Sequence, residues 1–376
     1  MNNGRTGAGS ALFGDCGQTG VSRGLGEFRG RRPVLVTAPG EAMFALPVEG
    51  LDSQRLMEFA ALCAPAAPEL IITERRALAL GLNATTPIAL SLSPGCNAAA
   101  ILALVSGAMS GRVPAASPAS RSAAGAVRLA KMSHSLPAVL AAHVAGHAFR
   151  CDQMIVQVDA NAVTRFADEC ARSLMIASEA SVPLGSGVPS RFIVFRDAIG
   201  DSQVAVIVGK PDFTRPVPVR LHSACLTGDV FGSRRCDCGD QLQLALAKLE
   251  YLGGGIVLYM PQEGRGLGLA NKMRTYQLQD EGLDTIDANT TLGFDDDERD
   301  YGIAGSMLRM LNCTRVVLLT NNPAKLDGLT TAGIEVTSWM QLEVPINPDN
   351  RRYMIAKAAR SGHHLGHLTV SPADQS

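Results

Sequence analysis

Ile256-Val-Leu-Tyr-Met260-Pro-Gln-Glu-Gly-Arg-Gly-Leu-Gly268-Leu-Ala-Asn-Lys-Met-Arg-Thr-Tyr276-Gln-Leu-Gln-Asp280 is the stretch that decides the fold. Five apolar residues, rich in β-formers, read as a short buried strand; a glycine-broken loop follows. From about Leu267 to Asp280 the spacing predicts an amphipathic helix, with Gly282 placed as its C-terminal stop. Val316 to Thr320 repeats the plan, running through Asn321-Asn-Pro323 into a helix near Ala324 to Ala332, a stop at Gly333 and a strand from Ile334. Strands alternating with helices predict an α/β domain, in which ligands bind beyond the carboxyl ends of the strands. The polar loops after Met260 and Leu319 are therefore where function is expected.

Working outward, short β-rich runs at Phe192 to Phe195 and Val204 to Val208 extend this domain back to about Pro183. Upstream the texture is rich in Ala and Leu, with helical spacing in Arg55 to Cys63 and Val127 to Ala145. A Pro/Ser/Ala/Arg stretch between Gly111 and Gly125 has no periodicity and reads as a loop. A chain of 376 residues exceeds one ordinary core. The expected organisation is a disordered tail at 1–31, a first domain at 32–182, the α/β domain at 183–366 and a tail at 367–376.

Hydrophobic residues make up 46% and charged residues 18%, the balance of a soluble globular protein. Acids and bases number 35 and 34, so no whole-molecule field recruits nucleic acid. The longest apolar run, Ala98 to Met109, falls short of the roughly 20 residues of a membrane helix. With no apolar segment near the start, the composition points to a cytoplasmic protein without membrane partners, whose nine cysteines stay reduced.

Six of those cysteines stand alone; Cys225, Cys236 and Cys238 are clustered, and three thiolates can converge on one ion. Sulfur suits zinc. A structural site closes the tetrahedron with a fourth Cys or His, and His222, three residues upstream, is available for that; a catalytic site leaves the position to water. Arg234 and Arg235 flank the pair, where positive charge favours thiolates. His143 and His147 lie four apart on an expected helix, but with no third ligand nearby they read as packing or surface residues.

The loop Gln262-Glu-Gly-Arg-Gly266 offers free amides and Arg265 to an anion, and Thr320, Asn321 and Lys325 offer a second seat. Neither matches a P-loop. Glu263 can accept the N1 and N2 donors of guanine and so discriminate against adenine. The run Asp295-Asp-Asp-Glu-Arg-Asp300 is expected to open a helix continuing to Leu311, where acids suit the dipole.

Taken together, Arg220-Leu-His-Ser-Ala-Cys-Leu-Thr-Gly-Asp229, Arg235-Cys-Asp-Cys-Gly239, Gln262-Glu-Gly-Arg265, Asp297-Glu-Arg-Asp300 and Leu319-Thr-Asn-Asn-Pro323 closely resemble GTP cyclohydrolase II, over about Pro183 to Leu365. The resemblance implies one zinc per chain on Cys225, Cys236 and Cys238. It implies a GTP pocket from Arg220, Leu221, His222, Ser223, Ala224, Gln241, Glu263, Gly264, Arg265, Thr285, Thr320 and Lys325. Asp297 matches the family's proton acceptor, Arg299 its proposed nucleophile and Tyr276 a tyrosine used in ring opening. Implied with these are Mg²⁺ assisting diphosphate release, a homodimer, and formate, diphosphate and a diaminopyrimidine ribosyl phosphate as products, at the entry to riboflavin synthesis. Guanidinium stays protonated, with a pKa above about 12, so a charge clamp on the phosphate is a simpler role for Arg299. The family usually has Glu where this chain has Ala224, which admits a rival: a zinc-stabilised GTP sensor without turnover. An enzyme acting on a different purine or pyrimidine is a third reading, against which Tyr276 and Glu263 favour GTP.

More faintly, Arg32-Pro-Val-Leu-Val36 and Leu70-Ile-Ile-Thr-Glu-Arg-Arg-Ala-Leu-Ala-Leu-Gly-Leu82 resemble dihydroxybutanone phosphate synthase, a fold that would make the first domain α/β as well. That enzyme needs clustered acids for Mg²⁺ after its first strand, and Val34 to Pro47 contains only Glu41. The first domain is therefore expected to be a catalytically inactive, degenerate relative.

Overall fold

The structure is a computed structural model that describes residues 14–107, 113–144, 154–345 and 347–351. It divides into two compact units, one running through Phe166 and including Asn289–Asp296, the other comprising Ala167–Ala288 and the chain from Asp297 onward.

The first unit contains strands β1 (Val34–Ala38), β2 (Glu41–Pro47), β3 (Glu69–Ile72), β4 (Ile88–Ser91), β5 (Ala116–Pro118), β6 (Ala138–His143) and β7 (Gln157–Asp159). They form one sheet in the order β5-β4-β3-β6-β2-β1-β7, antiparallel except where β1 meets β7. Its helices are α1 (Cys16–Arg29), α2 (Ser53–Cys63), α3 (Glu74–Ala79), α4 (Ala98–Ser106) and α5 (Arg121–Met132); along α6 (Ala160–Ser173) the chain passes into the second unit. Local chemistry fixes where these helices start: Asp52, Thr73, Asn97 and Ser120 each accept a backbone N–H from the first turn of α2 to α5.

Three expectations fail here. Residues 16–29, expected within a tail, form α1, capped by Asp15 and burying Val21, Leu25 and Phe28. Its glycines mimic tail composition, yet at Gly24 a Cβ would lie 2.6 Å from Val158, so the glycine permits close packing on β7. The helix expected over Val127 to Ala145 ends at Met132, because the turn at Ser133-His134-Ser135, with His134 at φ 60°, leads into β6. Ala138 to Ala142 are buried throughout, and a fully buried strand has no period to tell it from a helix. His143 is thus the end of a strand, while His147 lies outside the described residues. Between Gly111 and Gly125 the described part forms β5 and the start of α5.

The second unit contains β8 (Met175–Ser181), β9 (Ser190–Arg196), β10 (Ser202–Gly209), β11 (Val217–Ser223), β12 (Gly254–Met260), β13 (Arg315–Leu319) and β14 (Glu335–Met340). The sheet order is β14-β13-β11-β12-β10-β9-β8: four parallel strands extended by three antiparallel ones. The compact units part ahead of the textural change at Pro183, because β8 pairs with β9 despite side chains exposed along its whole length.

Helices α7 (Cys238–Tyr251), α8 (Leu269–Asp280), α9 (Thr285–Thr291), α10 (Gly302–Met310) and α11 (Pro323–Thr331) complete the described part. Strand alternation sends Ala205, Ile207, Ile256 and Leu258 to one face, against Met307, Leu308 and Leu329; Val206, Val208 and Val257 go to the other, against Ala245 and Leu249 of α7. The α/β class is the one expected. The acidic run does not open a helix: α10 begins at Gly302, whose N–H is taken by Asp300 (2.7 Å), while Asp295 pairs with Arg75 and Lys131 in the first unit.

Candidate active site

The carboxyl ends of β13, β11 and β12 lie side by side, so the loops leaving Leu319, Ser223 and Met260 converge. The Ala224 N–H donates to the Met260 carbonyl (2.7 Å), pinning the cysteine loop to the sheet edge. Beyond Cys225 the chain makes a single wide π-type turn, Leu226–Val230, a form found often at functional sites. This turn folds back on Cys236 and on Cys238, the first residue of α7, whose N-terminal dipole favours a thiolate.

The three sulfur atoms lie within 4.8 Å of one another, and those of Cys225 and Cys236 are 3.7 Å apart. Three sulfurs bound tetrahedrally at about 2.3 Å would be separated by about 3.8 Å, so the spacing fits a zinc-sized ion. A Cβ at Gly228 would sit 2.9 Å from the Cys236 sulfur and 3.1 Å from that of Cys225, so only glycine fits against the trio. Hydrogen bonds from the Cys236 and Cys238 thiols lower the pKa of Cys225, and the same bonds hold those two thiols high.

His222 is not the fourth ligand. Among the described residues no other Cys, His, Asp or Glu joins the trio. His222 turns its Nε2 to Asp229 (3.1 Å to each oxygen) and stacks on Tyr259. Burial lowers its pKa, outweighing Asp229. Asp229 also accepts from the Cys225 N–H (2.9 Å) and the Tyr259 hydroxyl (3.0 Å), so this cluster frames the first cysteine.

Neither flanking arginine supplies the cation beside the sulfurs. Arg234 pairs with Asp349, and Arg235 pairs with Asp280 while stacking 4.5 Å from the centre of the Tyr276 ring. Lys272 takes that place. Its ammonium donates to Cys225 Sγ (3.0 Å), Thr227 Oγ1 (2.8 Å) and Glu263 Oε1 (2.8 Å). Burial alone would lower its pKa, but the bonds to Cys225 and Glu263 hold it raised. No motif marks Lys272 in the sequence; its signal is its place on α8, one turn before Tyr276.

Arg220 is buried at 4% exposure, donating to the Leu319 carbonyl (3.1 Å) and to Gln241 (2.6 Å), which in turn donates to Asp237 (2.5 Å). Its Nε is buried without a partner, and burial pushes its pKa down to about 10. Lys325 donates to the Leu221 carbonyl (2.7 Å), and the Thr320 hydroxyl accepts from the Asn322 N–H (3.0 Å). Glu263 accepts the Leu226 N–H on Oε2 (2.6 Å) besides Lys272 on Oε1, so it also frames the cysteine loop. Gly264 and Arg265 both have φ near 63°, a backbone a non-glycine residue rarely holds outside functional loops.

Asp297 binds Arg299 through both oxygens, at 2.7 Å and 2.5 Å, and also accepts the Tyr301 hydroxyl (3.2 Å). Burial would raise its pKa, but the Arg299 hydrogen bonds and charge bring it below the usual aspartate range. Arg265 acts electrostatically on Asp297, as Arg299 does on Arg220, which ties the loops together. Ser223 ends β11 and Thr285 begins α9; the Thr285 side chain lies outside the described set.

Thiols spaced for a metal beside arginines and lysines, at the carboxyl edge of parallel strands, define the metal-competent centre of an α/β enzyme. The family model for GTP cyclohydrolase II matches residues 175–341. GTP cyclohydrolase-2 of Azospirillum brasilense is 40% identical over 355 residues, covering 89% of this chain and 91% of that protein. Its counterpart from Xylella fastidiosa is 39% identical over 360 residues, covering 94% and 89%. The riboflavin biosynthesis protein RibBA of Bacillus mycoides is 52% identical over 162 residues, 43% of this chain and 41% of that one. The chain belongs to the GTP cyclohydrolase II family of hydrolases.

Proposed function

We propose that the chain hydrolyses GTP to 2,5-diamino-6-(5-phosphoribosylamino)pyrimidin-4(3H)-one, formate and diphosphate, the first step of riboflavin biosynthesis. The observation that carries this is the trio Cys225, Cys236 and Cys238, closed to metal spacing with no fourth protein donor among the described residues. Zinc held there would supply Lewis-acid activation of the water that opens the imidazole ring at C8.

The chain's own residues do the rest. Arg220, Lys325 and Arg265 bind the triphosphate; the unpartnered Nε of Arg220 is a donor awaiting an acceptor. Leu221, His222, Ser223, Ala224, Gln241, Gly264, Thr285 and Thr320 complete the pocket. Glu263 keeps a lone pair on each oxygen and can accept guanine donors while framing the loop. Asp297, ionised near neutral pH, takes up the proton released in the hydrolysis. Arg299, held by Asp297, clamps phosphate charge. Tyr276, fixed by Arg235, stands beside the ring-opening step. Mg²⁺ assists departure of diphosphate, and the chain works as a cytoplasmic homodimer. No helix among the described residues is long and apolar enough to cross a membrane.

The first unit we read as a degenerate relative of dihydroxybutanone phosphate synthase. Glu41, the one acid between Val34 and Pro47, accepts the Ser122 N–H (2.6 Å) at the start of α5, which suits a structural part.

The test is anaerobic incubation with GTP, Zn²⁺ and Mg²⁺, with the Cys236→Ser variant in parallel. Formate released by the parent and lost in the variant is the expected result. Saturable GTP binding without formate would instead make the chain a GTP sensor, the reading that Ala224 motivates.

A further inference from the structure

We propose that Lys272 is a positioning residue for the metal centre, donating into the Cys225 thiolate and tying the cysteine loop to Glu263 and to the helix that carries Tyr276. The inference rests on the metal reading of the cysteine trio and goes beyond it.

Lys272 is 7% exposed, and a buried ammonium is stable only when its three N–H groups are satisfied. All three are, two by the cysteine loop and one by the loop after β12: Cys225 Sγ at 3.0 Å, Thr227 Oγ1 at 2.8 Å and Glu263 Oε1 at 2.8 Å. The Glu263 carboxylate in turn holds the Leu226 N–H at 2.6 Å, so the turn next to Cys225 is gripped from both sides. Its ammonium also lies 5.7 Å from the centre of the Tyr276 ring, one helical turn further on, with Arg235 at 4.5 Å from that centre.

The charge balance shows what this arrangement is for. Three thiolates around a divalent cation carry a net charge of about −1, and thiolates are strong donors that weaken the ion as a Lewis acid. An ammonium hydrogen-bonded to one thiolate draws electron density away from the ion and offsets the charge. The same bond orients the Cys225 side chain, as hydrogen bonds to metal ligands commonly do. Arg234 and Arg235, the cations adjacent in sequence, are engaged with Asp349 and Asp280 instead.

Lys272→Met keeps the aliphatic stem without a donor; Lys272→Gln keeps a polar group without charge. Each full-length variant would be loaded anaerobically with Co²⁺, for its thiolate charge-transfer absorption, and with Zn²⁺ under chelator competition. A thiolate that loses a hydrogen bond donates more strongly, so the cobalt band should move to longer wavelength. Zinc affinity should fall about tenfold or more. The kcat for formate release should fall by a larger factor than KM for GTP rises through the loss of the partner of Glu263, a split that a general loss of structure would not give. A folded variant of either kind with the parent's band and zinc affinity would overturn the proposal, as would failure of both variants to fold. If the unsubstituted protein took up neither metal, the underlying metal reading would fall first, a result seen before any variant is compared.

Discussion

Gly228 is the residue at which the sulfur trio itself leaves no room for a side chain. A methyl group there would meet the Cys236 sulfur at 2.9 Å, the Cys238 Cβ at 3.0 Å and the Cys225 sulfur at 3.1 Å. Gly228→Ala should therefore lose most of its bound zinc by elemental analysis and be destabilised by about 1–3 kcal/mol, the usual range for overpacking. Retention of full metal content would contradict the assigned spacing. His222 gives a pH signature. Burial lowers its pKa below 6.5, so the unfolded chain binds the extra proton more readily than the folded one. Its contribution is fully present above pH 6.5 and is lost as pH falls through that value toward the folded pKa. Urea unfolding at pH 7.5 and 5.5 should show a larger acid loss for the parent than for His222→Gln. At this scale the cysteines and the Asp297 and Arg299 pair were legible, since each sits in a short motif. Lys272 was not, because its partners Cys225 and Thr227 are 47 and 45 residues away.

Among the elements, α7 links stability to chemistry: it begins at Cys238 and buries Leu249, fully enclosed, against Val257 and Val208. Leu249→Ala should lower unfolding free energy by about 2–5 kcal/mol in urea titrations, as large-to-small changes in close-packed cores do. An effect under about 1 kcal/mol would mean that this face is loosely packed. The strand-and-helix units around Ile256 and Val316 were readable because strand, loop, helix and glycine stop follow one another in sequence. β8 was not readable, since an edge strand exposed along its length has no buried alternation to show. Nor was α1, whose glycines serve packing rather than flexibility.

Across the whole molecule, the two compact units differ in what their polar residues do. In the second, charged side chains gather at the carboxyl edge of four parallel strands. In the first, the buried Arg76 donates to the carbonyls of Leu104 and Gly107, and Glu41 accepts from the start of α5. Purified full-length protein given ribulose 5-phosphate and Mg²⁺ should form no detectable butanone phosphate. Measurable product would restore a catalytic role to the first unit.

By itself the sequence determined the α/β class, the three sulfurs and the loops that bear the arginines, because periodicity and short motifs are encoded between near neighbours. The tertiary structure alone decided that His222 faces Asp229 rather than a metal, that Lys272 supplies the cation at Cys225, and that residues 16–29 are helix. Each of those outcomes depends on which distant segments share a buried space, where every polar group must find its partner.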